Sequence, residues 1–160
     1  MPSFRTTRRV PFTPRQMFDL VADVERYPEF LPLCEALVVK SRAQNGDADL
    51  VIADMTAGYK AIRETFTSRI TLRPQANEVT VDGVTKALGP FQKLQNKWLF
   101  RPAPGGCDVD FFIAYEFKSF MLQMLVGALF DRAFRRYTDA FEQRAHVIYG
   151  REPVVAREIS

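Results

Sequence analysis

Residues 119–149 read SFMLQMLVGALFDRAFRRYTDAFEQRAHVIY and contain no proline. No other stretch constrains the fold of this chain so tightly. Its first third is apolar nearly all round: Phe120, Met121, Leu122, Met124, Leu125, Val126, Ala128, Leu129 and Phe130. In the remainder Phe134, Tyr137, Phe141, Ala145 and Ile148 recur at steps of three and four. That spacing predicts one helix, roughly 45 Å long at about 1.5 Å per residue. A helix greasy on every side must be covered by its own core, a bound apolar molecule, a partner or a membrane. The greasy run over 120–130 is too short to cross a bilayer, because a span needs about 20 residues.

The preceding residues predict the cover. Residues 3–12 read as a strand with Phe4, Val10 and Phe12 on one face. Thr13-Pro14 then opens a helix, with Thr as N-cap and Pro at the first helical position. Breaks at Tyr27-Pro28 and Pro32 make 25–33 a short helix or compact loop. About six strands follow: 36–42, 47–56 after an Asn45-Gly46 hairpin turn, 59–72 after a turn at Gly58, 77–84, 91–101 and 107–117. Short connections imply an antiparallel meander, and a sheet with one apolar face needs a single cover. The long terminal helix is the element large enough. The expected class is α+β, a curved antiparallel sheet wrapped around a C-terminal helix. Residues 1–150 form one domain on this reading, and 151–160 a mobile tail.

Charge and cysteine usage narrow the function. The 160 residues carry a net charge of +3, but the basic side chains cluster. Arg5, Arg8 and Arg9 crowd the start. Lys86, Lys93, Lys97 and Arg101 have no acid between them, and Arg132, Arg135 and Arg136 share the terminal helix. Such clusters either form a solvated surface or attract anionic lipid headgroups or RNA phosphates. Cys34 and Cys107 make no framework and indicate a reducing compartment. The start MPSFRTTRRVPF has no apolar signal region. The expected location is the cytoplasm or the inner face of a membrane.

Catalytic and metal chemistry find little support. The one histidine, His146, sits between charged neighbours near the helix end, and nucleophilic catalysis needs a base beside its nucleophile. One His and two distant Cys make no zinc set. Asp47, Asp49 and Asp54 alternate along a strand and lack calcium-loop spacing. No catalytic cofactor or metal is expected. Glu64 and Asn96 stand in phase with inward apolar residues, so each requires either a structural hydrogen bond or a ligand headgroup. Phe66, Ile70, Leu94, Trp98, Phe111, Ile113 and Tyr115 should line the concave sheet face, opposed by Met121, Met124, Leu125, Leu129 and Phe130. Met and aromatics in such numbers make an adaptable apolar surface.

These residues resemble the coenzyme Q-binding START-like family, the polyketide cyclase/dehydrase-like branch. In VADVERYPEFLPLCEALVV, residues Tyr27, Pro28, Phe30, Leu31, Pro32 and Cys34 fall in the family's register, with Leu33 where an aromatic is usual. Gly89-Pro90-Phe91 followed by Trp98-Leu99-Phe100 also matches, as does Phe117-Lys118-Ser119 before the long helix. The resemblance covers 3–149. It implies a helix-grip (START/Bet v 1-like) fold with an apolar tunnel between sheet and helix, and adds Phe30 and Leu33 to the candidate ligand contacts. In eukaryotic members that tunnel is linked to ubiquinone or its isoprenoid precursors, and the protein is a lipid chaperone supporting respiration and quinone biosynthesis. Bacterial relatives include ribosome-association toxins, said to bind the large subunit and block subunit joining. The same fold hosts aromatic cyclases.

Three functions stay open at this point. The first is non-enzymatic binding of ubiquinone or a related polyprenyl lipid, with Arg5, Arg8, Arg9, Lys93, Lys97, Arg132, Arg135 and Arg136 facing an anionic membrane. The second is a ribosome- or RNA-associated regulator using those clusters, Arg101 among them. The third is a cyclase or hydrolase with Glu64 and Tyr115 as its acid–base pair.

Overall fold

The computed structural model describes residues 2–150; the expected tail, 151–160, lies outside the described residues. Strand β1 (Ser3–Val10) leads into helix α1 (Pro14–Ala22) and a 3-10 turn (Val24–Glu29). Six strands follow: β2 (Cys34–Asn45), β3 (Ala48–Tyr59), β4 (Ile62–Arg73), β5 (Glu78–Gly83), β6 (Phe91–Ala103) and β7 (Gly106–Phe117). Helices α2 (Phe120–Arg135) and α3 (Tyr137–Tyr149) complete the chain. The sheet order is β1-β7-β6-β5-β4-β3-β2, with every neighbouring pair antiparallel. This is the expected α+β helix-grip arrangement.

Local chemistry explains the boundaries. Thr13 caps α1 in a full capping box, its hydroxyl accepting from Gln16 N while the Gln16 side chain accepts from Thr13 N, each at 3.0 Å. Ser119 caps α2, accepting from Leu122 N at 3.1 Å. Gly89 takes φ +59°, and a Cβ there would stand 2.5 Å from the carbonyl oxygen of Thr65. Glycine therefore lets the β5–β6 connection press against β4 beside Phe66.

Two expectations are corrected. Gly58 does not turn the chain. It lies inside β3 opposite Arg63, and the turn falls at Lys60 (φ 55°) and Ala61, between paired Tyr59 and Ile62. The terminal helix is also two helices. At Arg136 the backbone N–H closes on Ala133 O at 3.0 Å, an i→i−3 bond, and α3 starts from the Arg136 carbonyl. No proline or glycine stands there to mark the tightening.

The core lies between the concave sheet face and these helices. Trp98, Phe91, Phe100, Phe111, Phe141 and Met17 are fully buried. Phe141 meets Trp98 edge-on at 4.9 Å, and Phe130 meets Phe91 at 5.0 Å. Helix α1 closes one end, with Phe18 against Phe100 and the Tyr149 hydroxyl donating to Gln16 O at 3.0 Å.

Candidate functional site

An apolar cavity lies between the sheet and the C-terminal helices. Its floor comes from alternate residues of six strands: Leu37, Ala53 and Met55, Phe66, Ser68 and Ile70, Val81, Leu94, Asn96 and Trp98, and Ile113. Period-two alternation places each on the concave side. Its cover is Phe134 at the end of α2, Tyr137 and Phe141 of α3, and Tyr27 and Leu31 from the 3-10 segment. The break at Arg136 thus sits between two cover residues. Its free space is only about 60 Å³, whereas pockets for drug-sized ligands run to about 300–1,000 Å³.

Polar groups here fall into two sets. Those of Asn96 and Tyr27 are committed to the protein. Asn96 Nδ2 donates to Phe112 O at 2.8 Å, and its Oδ1 accepts from Trp98 Nε1 at 3.0 Å. The Tyr27 hydroxyl donates to Val21 O. Ser68 and Tyr137 bring hydroxyls for which the described residues supply no hydrogen-bond partner. Burial pushes the Tyr27 and Tyr137 phenols above their ordinary range, so both remain protonated at neutral pH. Cys34 is buried beside this group, and burial pushes its thiol up to about 12. It is therefore a poor nucleophile. Among the described residues no carboxylate, imidazole, amine or guanidinium lines the cavity, and no cluster of metal-ligating side chains occurs.

Six of the predicted contacts line the cavity: Phe66, Ile70, Leu94, Asn96, Trp98 and Ile113. The others lie elsewhere. Phe111 is buried behind Trp98, centroid to centroid 4.6 Å. The Tyr115 hydroxyl donates to Asp131 Oδ1 at 3.0 Å and ties β7 to α2. Phe130 packs on Phe91 and Phe117, and Leu129 is half-buried. Phe30 packs on Phe141 at 5.0 Å, outside the lining. Leu33 takes φ 65° and its carbonyl accepts from Gly58 N at 2.9 Å. Glu64 is half-buried near the start of β4, opposite Ala57 and away from the cavity. Met121, Met124 and Leu125 point outward at 70%, 70% and 68% exposure. They do not oppose the sheet, because Val126, Phe130, Ala133 and Phe134 take the inner face of α2.

Residue-level reading of the sequence missed Ser68 and Tyr137 as polar groups of the cavity lining. The in-phase position of Ser68 between Phe66 and Ile70 was the available signal for one, and the helical stripe for the other.

The basic clusters are largely paired. Arg8 bonds Asp139 and Glu142, Arg9 reaches Asp108 at 2.9 Å, and Arg101 reaches Asp110 at 2.6 Å. Lys97 lies 3.5 Å from Glu78, and Arg135 3.1 Å from Asp131. Arg5 stacks on Phe112 at 4.6 Å. Lys93, Arg132 and Arg136 are exposed without a carboxylate partner among the described residues. No helix among those residues is long and apolar enough to cross a membrane.

The family described as polyketide cyclase/dehydrase and lipid transport matches residues 10–142. The ribosome association toxin RatA of Rickettsia prowazekii is 33% identical, over 91% of this chain and 97% of that protein. The Xenopus laevis mitochondrial coenzyme Q-binding protein COQ10 homolog B is 32% identical over 89% of this chain, which spans 57% of that longer protein. The solution structure of an 18 kDa protein from Caulobacter crescentus superposes with a TM-score of 0.74 at 33% identity, covering 94% of this chain and 99% of the other.

Proposed function

We propose that this chain, which belongs to the polyketide cyclase/dehydrase and lipid transport family, binds a quinone-headed polyprenyl lipid between its sheet and its C-terminal helices and carries it as cargo. The observation that carries this reading is the lining, an apolar wall interrupted by two hydroxyls without a hydrogen-bond partner among the described residues. An isoprenoid tail has no group to hydrogen-bond, so Leu, Met and Phe walls suffice, at about 25 cal/mol for each Å² of apolar surface buried. A quinone ring presents two carbonyl acceptors. The hydroxyls of Ser68 and Tyr137 are donors of the matching kind.

Loading requires the cover to move, because about 60 Å³ does not hold a quinone ring. We assign the hinge for that movement to the i→i−3 closure at Arg136, between Phe134 and Tyr137. The same lining favours a carrier over a catalyst. General acid–base work needs a group that titrates near the working pH, and the cavity offers phenols held protonated.

Mass spectrometry of organic extracts from gently purified protein tests the reading. A co-purified quinone or polyprenyl lipid is expected. Lipid-free protein that takes up no added quinone overturns it.

A second reading, ribosome association, has one observation in its favour. A relative whose length this chain matches carries that name, and Lys93 is an exposed cation without a carboxylate partner among the described residues. Under that reading Lys93→Glu abolishes co-sedimentation with ribosomal particles at low salt. Lys97 and Arg101 are less informative, since their carboxylate partners already neutralise them.

A further inference from the structure

Helix α2 carries a second apolar face that the described residues leave uncovered. Its inner face, Val126, Phe130, Ala133 and Phe134, is buried. Met121, Met124, Leu125 and Ala128 follow one another at helical spacing on the outside, with Phe120 at the start, 77% exposed. A stripe of large apolar side chains this exposed marks a binding surface. Its two ends are basic. Lys118 precedes the helix, while Arg132 extends the same stripe and Arg136 follows one turn later, all exposed and without a carboxylate partner among the described residues. The one acid of α2, Asp131, is engaged with Tyr115 and Arg135.

We propose that the outward face of α2 is a docking surface for an anionic lipid bilayer. The charge pattern selects this occupant. Two copies paired through the stripe would set basic end against basic end in either orientation, and like charges so placed repel. A phosphate-bearing RNA would satisfy Lys118, Arg132 and Arg136 but leave Met121, Met124 and Leu125 in water. An interfacial bilayer takes both, burying the apolar side chains at the headgroup boundary while the cations meet anionic lipid. The β3–β4 turn adds Tyr59, Lys60 and Ile62, with Tyr59 46% and Ile62 38% exposed. It projects from the same end of the sheet, because β4 begins where β7 finishes. This docking does not depend on what the cavity holds.

Flotation with vesicles of equimolar phosphatidylcholine and phosphatidylglycerol, free of quinone, tests the proposal. The wild-type chain is expected to float with these vesicles and not with phosphatidylcholine alone. The triple variant M121E/M124E/L125E should lose about a hundredfold or more in partitioning. Arg132→Glu should lose on the order of fivefold or more. All four positions are exposed, so the variants keep the wild-type circular dichroism and melting temperature. Wild-type protein that stays with the unbound fraction overturns the proposal, as does a triple variant that floats normally. A concentration-dependent dimer, or ribosome binding, that the triple variant abolishes while vesicles are ignored also overturns it. Because the vesicles contain no quinone, failure here leaves the cargo reading to its own test.

Discussion

Arg144 of α3 grips Glu29 at the end of the 3-10 turn, Nη2 to Oε1 2.5 Å, while its guanidinium lies over the Phe30 ring at 5.2 Å. The pair latches the segment bearing Tyr27 and Leu31 to the helix bearing Tyr137 and Phe141, so it joins two parts of the cavity cover. Glu29→Gln keeps the ring contact and removes the charge. Hydrogen exchange over 24–33 is expected to quicken roughly two- to fivefold, the range of a partly exposed ion pair. Unchanged exchange would mean that aromatic packing alone holds the segment.

The hydroxyls of Ser68 and Tyr137 separate binding from folding. Neither has a hydrogen-bond partner to lose among the described residues, so Ser68→Ala and Tyr137→Phe should leave the melting temperature unchanged or slightly raised. Each should weaken quinone binding by about 0.5–1.5 kcal/mol, the net value of one hydrogen bond. Affinity for a polyprenyl chain without a quinone ring should not move. Calorimetry with the two ligand types makes the comparison.

Asn96 behaves in the opposite way. Its amide satisfies Phe112 O and Trp98 Nε1 together. Asn96→Leu leaves both unpaired beside the core and should cost about 1–3 kcal/mol of stability in a urea titration. A neutral outcome would remove Asn96 from the structural role assigned to it.

Acid should loosen the molecule by a definite route. Asp110 is held below the ordinary carboxylate range by its hydrogen bond from Arg101 and, less strongly, by Thr7. Asp108 is lowered by Arg9, and Glu29 by Arg26 and then Arg144. A carboxylate depressed in the folded state contributes stability above its unfolded pKa and loses it as pH falls through the folded one. The melting temperature should therefore be level from neutrality down to about pH 5 and decline below about pH 4. Asp110→Asn should flatten part of that decline.

Much of this fold was legible because its signals are local. Thr13-Pro14 and Asn45-Gly46 name their own cap and turn. Cys107, Val109, Phe111, Ile113, Tyr115 and Phe117 alternate cleanly, and all are buried. The break at Arg136 was not legible, because an i→i−3 closure between two good helical stretches needs no special residue. Gly58 misled for the converse reason: glycine permits a turn without requiring one, while Lys60 supplies the positive φ. At the site, strand phase identified Phe66, Ile70, Leu94, Trp98 and Ile113 as inward. It could not decide which side of an all-round apolar helix faces in. That choice rests on packing against Phe91 and Phe117, which Phe130 reaches and Met121, Met124 and Leu125 do not.

Carriage of a quinone requires that its ring enter the cavity. Trp98 is the only tryptophan of the chain, and it lines that space. A quinone ring accepts electrons and quenches indole fluorescence at contact. Titration with a short-chain ubiquinone should quench Trp98 saturably, and Ala53→Phe, which fills the floor of the cavity, should abolish that saturation while the protein stays folded. Quenching that never saturates, or that is identical in Ala53→Phe, would contradict the account.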